Sequence, residues 1–168
     1  MIMLQKFIDK TMLPFMFKLS EQPMLYRELL KANKTFDDGL RLEGRIPGMR
    51  IRVGRTILVF ALLWHLFFVI PGMGLFHEAL VKMDCHLGII IAVIFTGFFF
   101  ASYFVFKEWV IERMASLQIR NAWKNHFAHF DYGRHHQEVT ALYSKAIETE
   151  VPHKELQLYI LNGLIGEK

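Results

Sequence analysis

LGIIIAVIFTGFFFASYFVF, the stretch from Leu87 to Phe106, decides the fold of this chain because it is long, apolar and free of charged residues. At a rise of about 1.5 Å per residue, about 20 helical residues cover the roughly 30 Å hydrocarbon core of a bilayer. A soluble core helix of this length normally has a polar face, and this stretch has none. The sequence therefore predicts a transmembrane helix over residues 87–106.

A second apolar run, from Thr56 to Phe76, precedes this helix and predicts a first span. Pro71 and Gly72 lie about one turn before its end, and we expect them to kink or end the helix. Residues 77–86 form a short polar connection, so that the two spans make an antiparallel hairpin. The predicted fold is an all-α integral membrane protein, a two-span transmembrane hairpin with cytoplasmic amphipathic helices at both ends.

Basic residues predict how the hairpin is oriented. They crowd the residues before the first span and follow the second span at Lys107 and Arg113, whereas the connection contains only Lys82. Both termini are therefore predicted to be cytoplasmic, in a membrane such as the bacterial inner membrane. The cluster before the first span consists of Arg41, Arg45, Arg50, Arg52 and Arg55. Such a cluster binds anionic headgroups, at about 1 kcal/mol per basic residue near the surface.

The same patterns divide the chain into three segments. Residues 1–55 are expected to be N-terminal cytoplasmic or interfacial helices followed by a basic connector, and residues 56–106 form the hairpin, with spans 56–76 and 87–106. Residues 107–168 form a cytoplasmic helical region that continues from the second span. Leu4, Phe7, Ile8, Met12 and Phe15 fall near helical spacing, which predicts either a helix lying on the bilayer or one docked on the protein itself.

The second span is expected to continue past Phe106, because no glycine or proline follows before Gly133. An apolar stripe keeps helical spacing to about Asp131, and two more amphipathic helices are predicted, over residues 135–150 and from Pro152. The first stripe contains Ile119, Trp123, Phe127 and Phe130. The second contains Val139, Leu142, Tyr143, Ala146 and Ile147. The third contains Leu156, Tyr159, Ile160 and Leu164, with Gly163 and Gly166 closing its helix.

The polar residues inside the spans are His65, Thr96 and Ser102. An ionisable residue at mid-bilayer is costly and is therefore a candidate for function. Thr96 is predicted to lie at nearly the depth of His65, which favours a hydrogen bond between them. A proton or ion pathway and a metal or haem ligand are the alternative roles of His65. Since a haem between helices usually has two axial ligands, a symmetric dimer would have to supply the second histidine.

Small residues on the second span predict a seam where helices approach closely. They are Gly88, Ala92, Thr96, Gly97 and Ala101. One stripe of the seam is expected to accept the first span, and the stripe of Gly97 and Ala101 a second protomer or another membrane subunit. The phenylalanines at positions 95, 98, 99, 104 and 106 would then face lipid or a partner. Ordinary membrane-helix composition is the alternative explanation.

Two groups of residues contain metal-ligand types. The cytoplasmic group consists of His126, His129, Asp131, His135 and His136. A turn at Gly133 could fold it into a zinc or iron site, although its spacing matches no specific motif and a solvated helix–turn–helix is the alternative. The other group is in the connection, at Asp84, Cys85 and His86, where adjacent residues rarely converge on one ion. The single cysteine excludes an intramolecular disulfide.

The chain has no phosphate-binding loop, nucleophile elbow or paired catalytic carboxylates, and no basic stripe interleaved with aromatic residues. We therefore expect no enzymatic activity, no cofactor and no nucleic-acid partner. The favoured function is an oligomeric membrane scaffold or an accessory subunit, whose partners are anionic lipid and either its own copies or other membrane subunits. One alternative is a small oligomeric ion or proton channel with His65 near the pore. A metal- or haem-binding membrane protein is the second alternative.

Overall fold

The computed structural model describes residues 2–166, except for the side chains of Ile2, Leu4 and Leu80. Met1, Glu167 and Lys168, at the ends of the predicted segments 1–55 and 107–168, lie outside the described residues. Most of the chain is helical. In chain order the elements are α1 (Ile2–Phe7), a π-helical turn (Ile8–Met12), α2 (Leu13–Met16), β1 (Phe17–Leu19), α3 (Tyr26–Asp37), β2 (Met49–Ile51), α4 (Val53–Trp64), a second π-helical turn (His65–Val69), α5 (Ile70–Val81), α6 (Cys85–His126), α7 (Tyr132–Glu148) and α8 (Leu156–Gly166).

The chain forms two units. The first comprises the residues up to Lys18 together with Ile51–Ile111, and the second comprises Leu19–Arg50 and the residues from Glu112 onward. Two helical stretches, Val53–Ala79 and Cys85–His126, are long and apolar enough to cross a membrane. The second of these is one uninterrupted helix that passes through Phe106, as expected for a span that continues.

The first apolar stretch continues through Pro71, where the sequence predicted a kink or an end. Proline has no N–H to donate to the carbonyl one turn earlier, and its ring crowds that carbonyl. The π-helical turn His65–Val69 lies directly before this point and changes the hydrogen-bond register there. Since α5 ends only at Val81 and α6 begins at Cys85, the predicted connection over residues 77–86 is also wrong in length. Residues 82–84 alone join the helices.

A similar turn changes the face that the N-terminal helices bury. The π-helical turn Ile8–Met12 adds a residue to the helical repeat, and Leu13 and Met16 become fully buried while Phe7 and Phe15 stay exposed. Arg55, on α4, caps this segment, because its guanidinium donates to the Phe15 carbonyl (3.4 Å) and lies over the Phe15 ring. The N-terminal helices thus dock within the first unit and also leave an apolar surface exposed.

Two short strands form a sheet that the sequence only half predicted. The alternation of basic and apolar residues over residues 50–53 predicts a short extended piece, and β2 occupies Met49–Ile51, but no pattern in the sequence predicts its partner β1. Gly48, just before β2, adopts φ +71° and lies against Ser20, where a Cβ would approach within 2.9 Å. Ser20 donates its N–H to the Gly48 carbonyl (2.8 Å). Glycine is therefore required there by both the backbone conformation and the space.

The second unit encloses a core contributed by α3, the C-terminal part of α6, α7 and α8. Ile119, Trp123 and Phe127 are buried, as the predicted stripe requires. Helix α6 ends at His126 rather than near Asp131, because the chain turns there and the Trp123 indole donates to the Phe130 carbonyl (2.8 Å). The predicted stripes are borne out at Val139, Tyr143, Ala146, Leu156, Ile160 and Leu164, which are all buried.

Two positions of these stripes differ from the prediction. Ile147 is exposed although its neighbours on α7 face the core. Gly163 does not close its helix but lies inside α8, where an added Cβ would come within 2.7 Å of the Leu142 side chain. The glycine therefore permits close packing of α8 on α7.

Candidate functional site

The polar side chains of the apolar helices bind their own backbone. The His65 ring donates from Nδ1 to the Ala61 carbonyl (2.7 Å), and the Thr96 hydroxyl donates to the Ala92 carbonyl (2.7 Å). Ser102 donates in the same way to the carbonyl four residues earlier. The predicted His65–Thr96 hydrogen bond is therefore wrong, because each of the two side chains bonds a carbonyl of its own helix instead.

An aromatic seam joins the two apolar helices. Phe60, Trp64 and Phe68 of the first stretch interleave with aromatic rings of α6, with most ring centroids 5–6 Å apart. Their contacts are with Phe95, Phe98, Phe99, Tyr103 and Phe106. The prediction that the phenylalanines of α6 face lipid or a partner is wrong for Phe99 and Phe106, which are half-buried against the first stretch. Phe95 and Phe98 also contact the first stretch, but they stay 42% and 51% exposed. Phe104 is exposed, as expected.

The predicted small-residue seam divides between two faces of α6. Gly88 and Ala92 line an open cleft toward α5, whereas Thr96, Gly97 and Ala101 are exposed. A Cβ added at Gly88 or Gly97 would meet no described atom within 4 Å. Within the chain, rings and not small residues make the contact between the helices. The Gly97 and Ala101 face remains open, as a contact with a second protomer would require.

Most of the arginines predicted to bind headgroups are on the protein surface. Arg41, Arg45, Arg50 and Arg55 are exposed, and Arg52 is half-buried. The backbone of Arg52 begins α4, since its carbonyl accepts from both the N–H and the hydroxyl of Thr56. Exposure of the guanidinium groups is compatible with headgroup binding, which stays a prediction.

The structure does not gather the histidines of residues 126–136 around one point. His126 donates from Nε2 to the Met24 carbonyl (2.8 Å), and His135 from Nδ1 to the Asp131 carbonyl (3.0 Å). His136 faces the Asp37 carboxylate, while His129 is exposed. Among the described residues, a set of three metal-ligand types with atoms within 4.8 Å occurs at Asp84, Cys85 and His86, all exposed. Adjacent side chains thus come together where the sequence argued against it.

A buried polar cluster in the second unit was not predicted from the sequence. Asn33 of α3 is fully buried and donates from Nδ2 to the His136 carbonyl (2.9 Å) and the Thr140 hydroxyl (2.8 Å). The Asp37 carboxylate accepts from Nδ1 of His136 (2.8 Å) and from Thr140. These contacts join α3 to α7 across about 100 residues of chain. A fixed polar arrangement of this kind orients two helices specifically.

Tyr132 completes this cluster. Its ring stacks on His136, with centroids 4.9 Å apart, and lies beneath the Arg120 guanidinium. Burial, aided by the Asp37 carboxylate, raises the pKa of Tyr132 to about 12. The phenol is therefore neutral near pH 7. Among the described atoms its hydroxyl has no hydrogen-bond partner, and neither has the Asn33 Oδ1. The contacts of this cluster hold α3 against α7.

The chain matches no family model, no curated protein and no solved structure. Two structural features therefore describe it: a pair of apolar helices joined by aromatic rings, and a helical unit in which a buried polar cluster joins α3 to α7.

Proposed function

We propose that the protein is an integral membrane scaffold or accessory subunit without enzymatic activity. The hairpin anchors it in a membrane such as the bacterial inner membrane, with both termini cytoplasmic. The helices of the second unit provide a cytoplasmic surface for another copy or another membrane subunit. The fold itself contains two helices that are long and apolar enough to span a membrane.

One observation carries the proposal: other parts of the protein leave the apolar helices largely uncovered. No residue is buried in the most apolar 18 residues of Cys85–His126. In the most apolar 18 residues of Val53–Ala79, only 11% of the residues are buried. A soluble core helix of this composition would be covered by other elements, because exposing so much apolar surface to water is unfavourable. Lipid tails are the solvent for which such a surface is suited.

The polar groups of the hairpin support an anchor more than a pore. His65, Thr96 and Ser102 each return a hydrogen bond to their own helix. The channel alternative therefore has no converging polar lining within one chain. The second unit likewise offers an exposed surface and a fixed contact between α3 and α7.

Membrane insertion is tested first. Native membranes washed at alkaline pH should retain the protein, and an impermeant thiol reagent should label the exposed Cys85 from outside intact cells. Release by the wash would contradict insertion. Labelling of Cys85 only after permeabilisation would show that the proposed orientation is wrong and that both termini lie outside.

Assembly is tested by the mass of the complex extracted from native membranes. Gly97→Leu adds bulk to the exposed small-residue face of α6 and should shift the assembly to lower mass, because close backbone approach supplies the attraction between helices in lipid. Gly74→Leu is the matched control, since Gly74 is also helical and has no atom near its Cβ position. A monomeric parent protein, or equal masses for both variants, would remove this interface.

A further inference from the structure

An open apolar cleft of about 970 Å³ lies between α5 and the N-terminal part of α6. All of its lining residues belong to the first unit, and all are apolar or glycine except Lys82 and Asp84 at the connection. Ligand pockets in proteins have volumes of about 300–1,000 Å³, so this cleft is large enough for a sizeable apolar molecule.

Small residues create the cleft. Gly72 and Ala79 lie on the α5 wall, and Gly88 and Ala92 lie on the α6 wall. Small residues usually allow two membrane helices to approach closely. Here the aromatic seam at Trp64, whose ring packs on Phe68 and Phe95, sets the separation of the helices, and the small walls leave space between them.

The depth of the cleft corresponds to one leaflet of a bilayer. It runs from Asp84, directly before α6, along this helix to Phe95, which is about 16 Å at the helical rise of roughly 1.5 Å per residue. Half of a hydrocarbon core of about 30 Å is about 15 Å. Phe68 and Phe95 form its floor, and beyond them the seam between Phe60 and Phe99 closes the space between the helices.

The mouth of the cleft carries a cation. Lys82 is exposed and forms no ion pair with a described side chain, whereas the Asp84 carboxylate lies 3.3 Å from the His86 ring. An ammonium group at the level of the headgroups attracts phosphate. The cleft therefore has apolar walls about as deep as an acyl chain is long, and a basic group lies at its mouth.

We propose that this cleft binds an anionic phospholipid of the leaflet on the connection side, with its acyl chains between α5 and α6 and its phosphate at Lys82. The inference rests on the proposed membrane insertion. A helix of another subunit fits less well, because a spanning helix crosses about 30 Å and the cleft is closed at half that depth. The bound lipid would fill the volume that the small residues leave open.

Trp64 provides the probe, because it packs on both residues of the floor. The full-length protein carrying Trp109→Phe is reconstituted in phosphatidylcholine vesicles that contain increasing amounts of phosphatidylglycerol brominated on its acyl chains. Bromine quenches indole fluorescence on close approach. We expect quenching to saturate at a low mole fraction of the brominated lipid, and Trp64→Phe should remove the saturable part of the signal.

Matched variants separate the cleft from the rest of the hairpin. Gly88→Leu with Ala92→Leu fills the cleft and should abolish saturation, whereas Gly97→Leu, on the exposed face of the same helix, should preserve it. Lys82→Gln should raise the half-saturating mole fraction about fivefold, the equivalent of about 1 kcal/mol for a basic residue at the surface. Lys82→Arg should restore the parent value.

Two results would overturn the lipid site. In the first, quenching rises in proportion to brominated lipid and is the same in the filled variant. In the second, Ala79→Cys in a Cys85→Ser background forms disulfide-linked dimers in native membranes, which would give the cleft to a second copy. Retention after the alkaline wash keeps either result separate from a failure of membrane insertion, in which the protein would leave the membrane altogether.

Discussion

The two units of the molecule differ in where they place large apolar side chains: many are exposed in the first unit, and most are buried in the second. In the first unit Ile94 and Phe104 are 66% and 64% exposed, whereas in the second unit Ile119 and Ile160 are fully buried. Apolar side chains face inward in water, and lipid removes the reason for doing so. The difference is the one that the proposed membrane insertion of the first unit predicts, and it can be tested by comparing equivalent substitutions in the two units.

The largest expected effect is that of Ile160→Ala. It removes a fully buried side chain from the core of the second unit and should lower the free energy of unfolding by about 2–5 kcal/mol. Ile94→Ala makes the same chemical change on an exposed position of α6 and should cost much less. Denaturant unfolding of both variants in detergent micelles measures the difference, followed by tryptophan fluorescence, since Trp64 and Trp109 lie in the first unit and Trp123 in the second.

Equal losses for the two isoleucines would contradict the comparison, because Ile94 would then be covered by protein. A partner chain over that face of α6 would be the physical reason. Ile165→Ala serves as a control within the second unit, since Ile165 is also on α8 but is 64% exposed.

The next effect concerns hydrogen bonds. Asn33→Ala removes donors to the His136 carbonyl and the Thr140 hydroxyl in a buried site, and should cost about 1–3 kcal/mol. Thr96→Val removes only a bond to the Ala92 carbonyl of the same helix and should cost less than about 1 kcal/mol. Chemical unfolding measures both variants. A larger loss for Thr96→Val would give Thr96 a partner outside its own helix.

The sequence predicted what depends on local pattern. The uncharged run at residues 87–106 lies within one helix, and the spacing of Ile119, Trp123 and Phe127 identified a buried face. Both signals are periodic and need no knowledge of distant residues. The helix was also expected to extend well past Phe106, because nothing in the sequence breaks it.

What the sequence did not predict depends on register or on distance. The π-helical turns at Ile8–Met12 and His65–Val69 change which side chains share a face of the helix, and no residue pattern in the sequence predicted these turns. Asp37 and His136 are 99 residues apart, so a polar contact between them could not be found from spacing. The only available signal was that Asn33 and Asp37 fall one turn apart on the same helix, beside its apolar stripe.

The smallest expected effect distinguishes backbone strain from side-chain contact at the end of α7. Glu150 has φ +51°, the only positive value among the described non-glycine residues, and it follows directly on the C-cap Thr149. The Val151 N–H donates to the Ala146 carbonyl (3.0 Å), which closes the helix in the manner that favours glycine at position 150. An L side chain in this conformation is unfavourable, whereas glycine is not.

Glu150→Gly should therefore raise the free energy of unfolding of the second unit by about 0.5–1 kcal/mol, a gain that glycine's larger unfolded-state entropy partly offsets. Glu148→Gly is the control, because residue 148 is still helical and glycine there should destabilise by up to about 1 kcal/mol. Unfolding midpoints of the two variants should move in opposite directions. If both midpoints fall, the Glu150 side chain makes a contact that stabilises the second unit by more than the strain of its backbone costs.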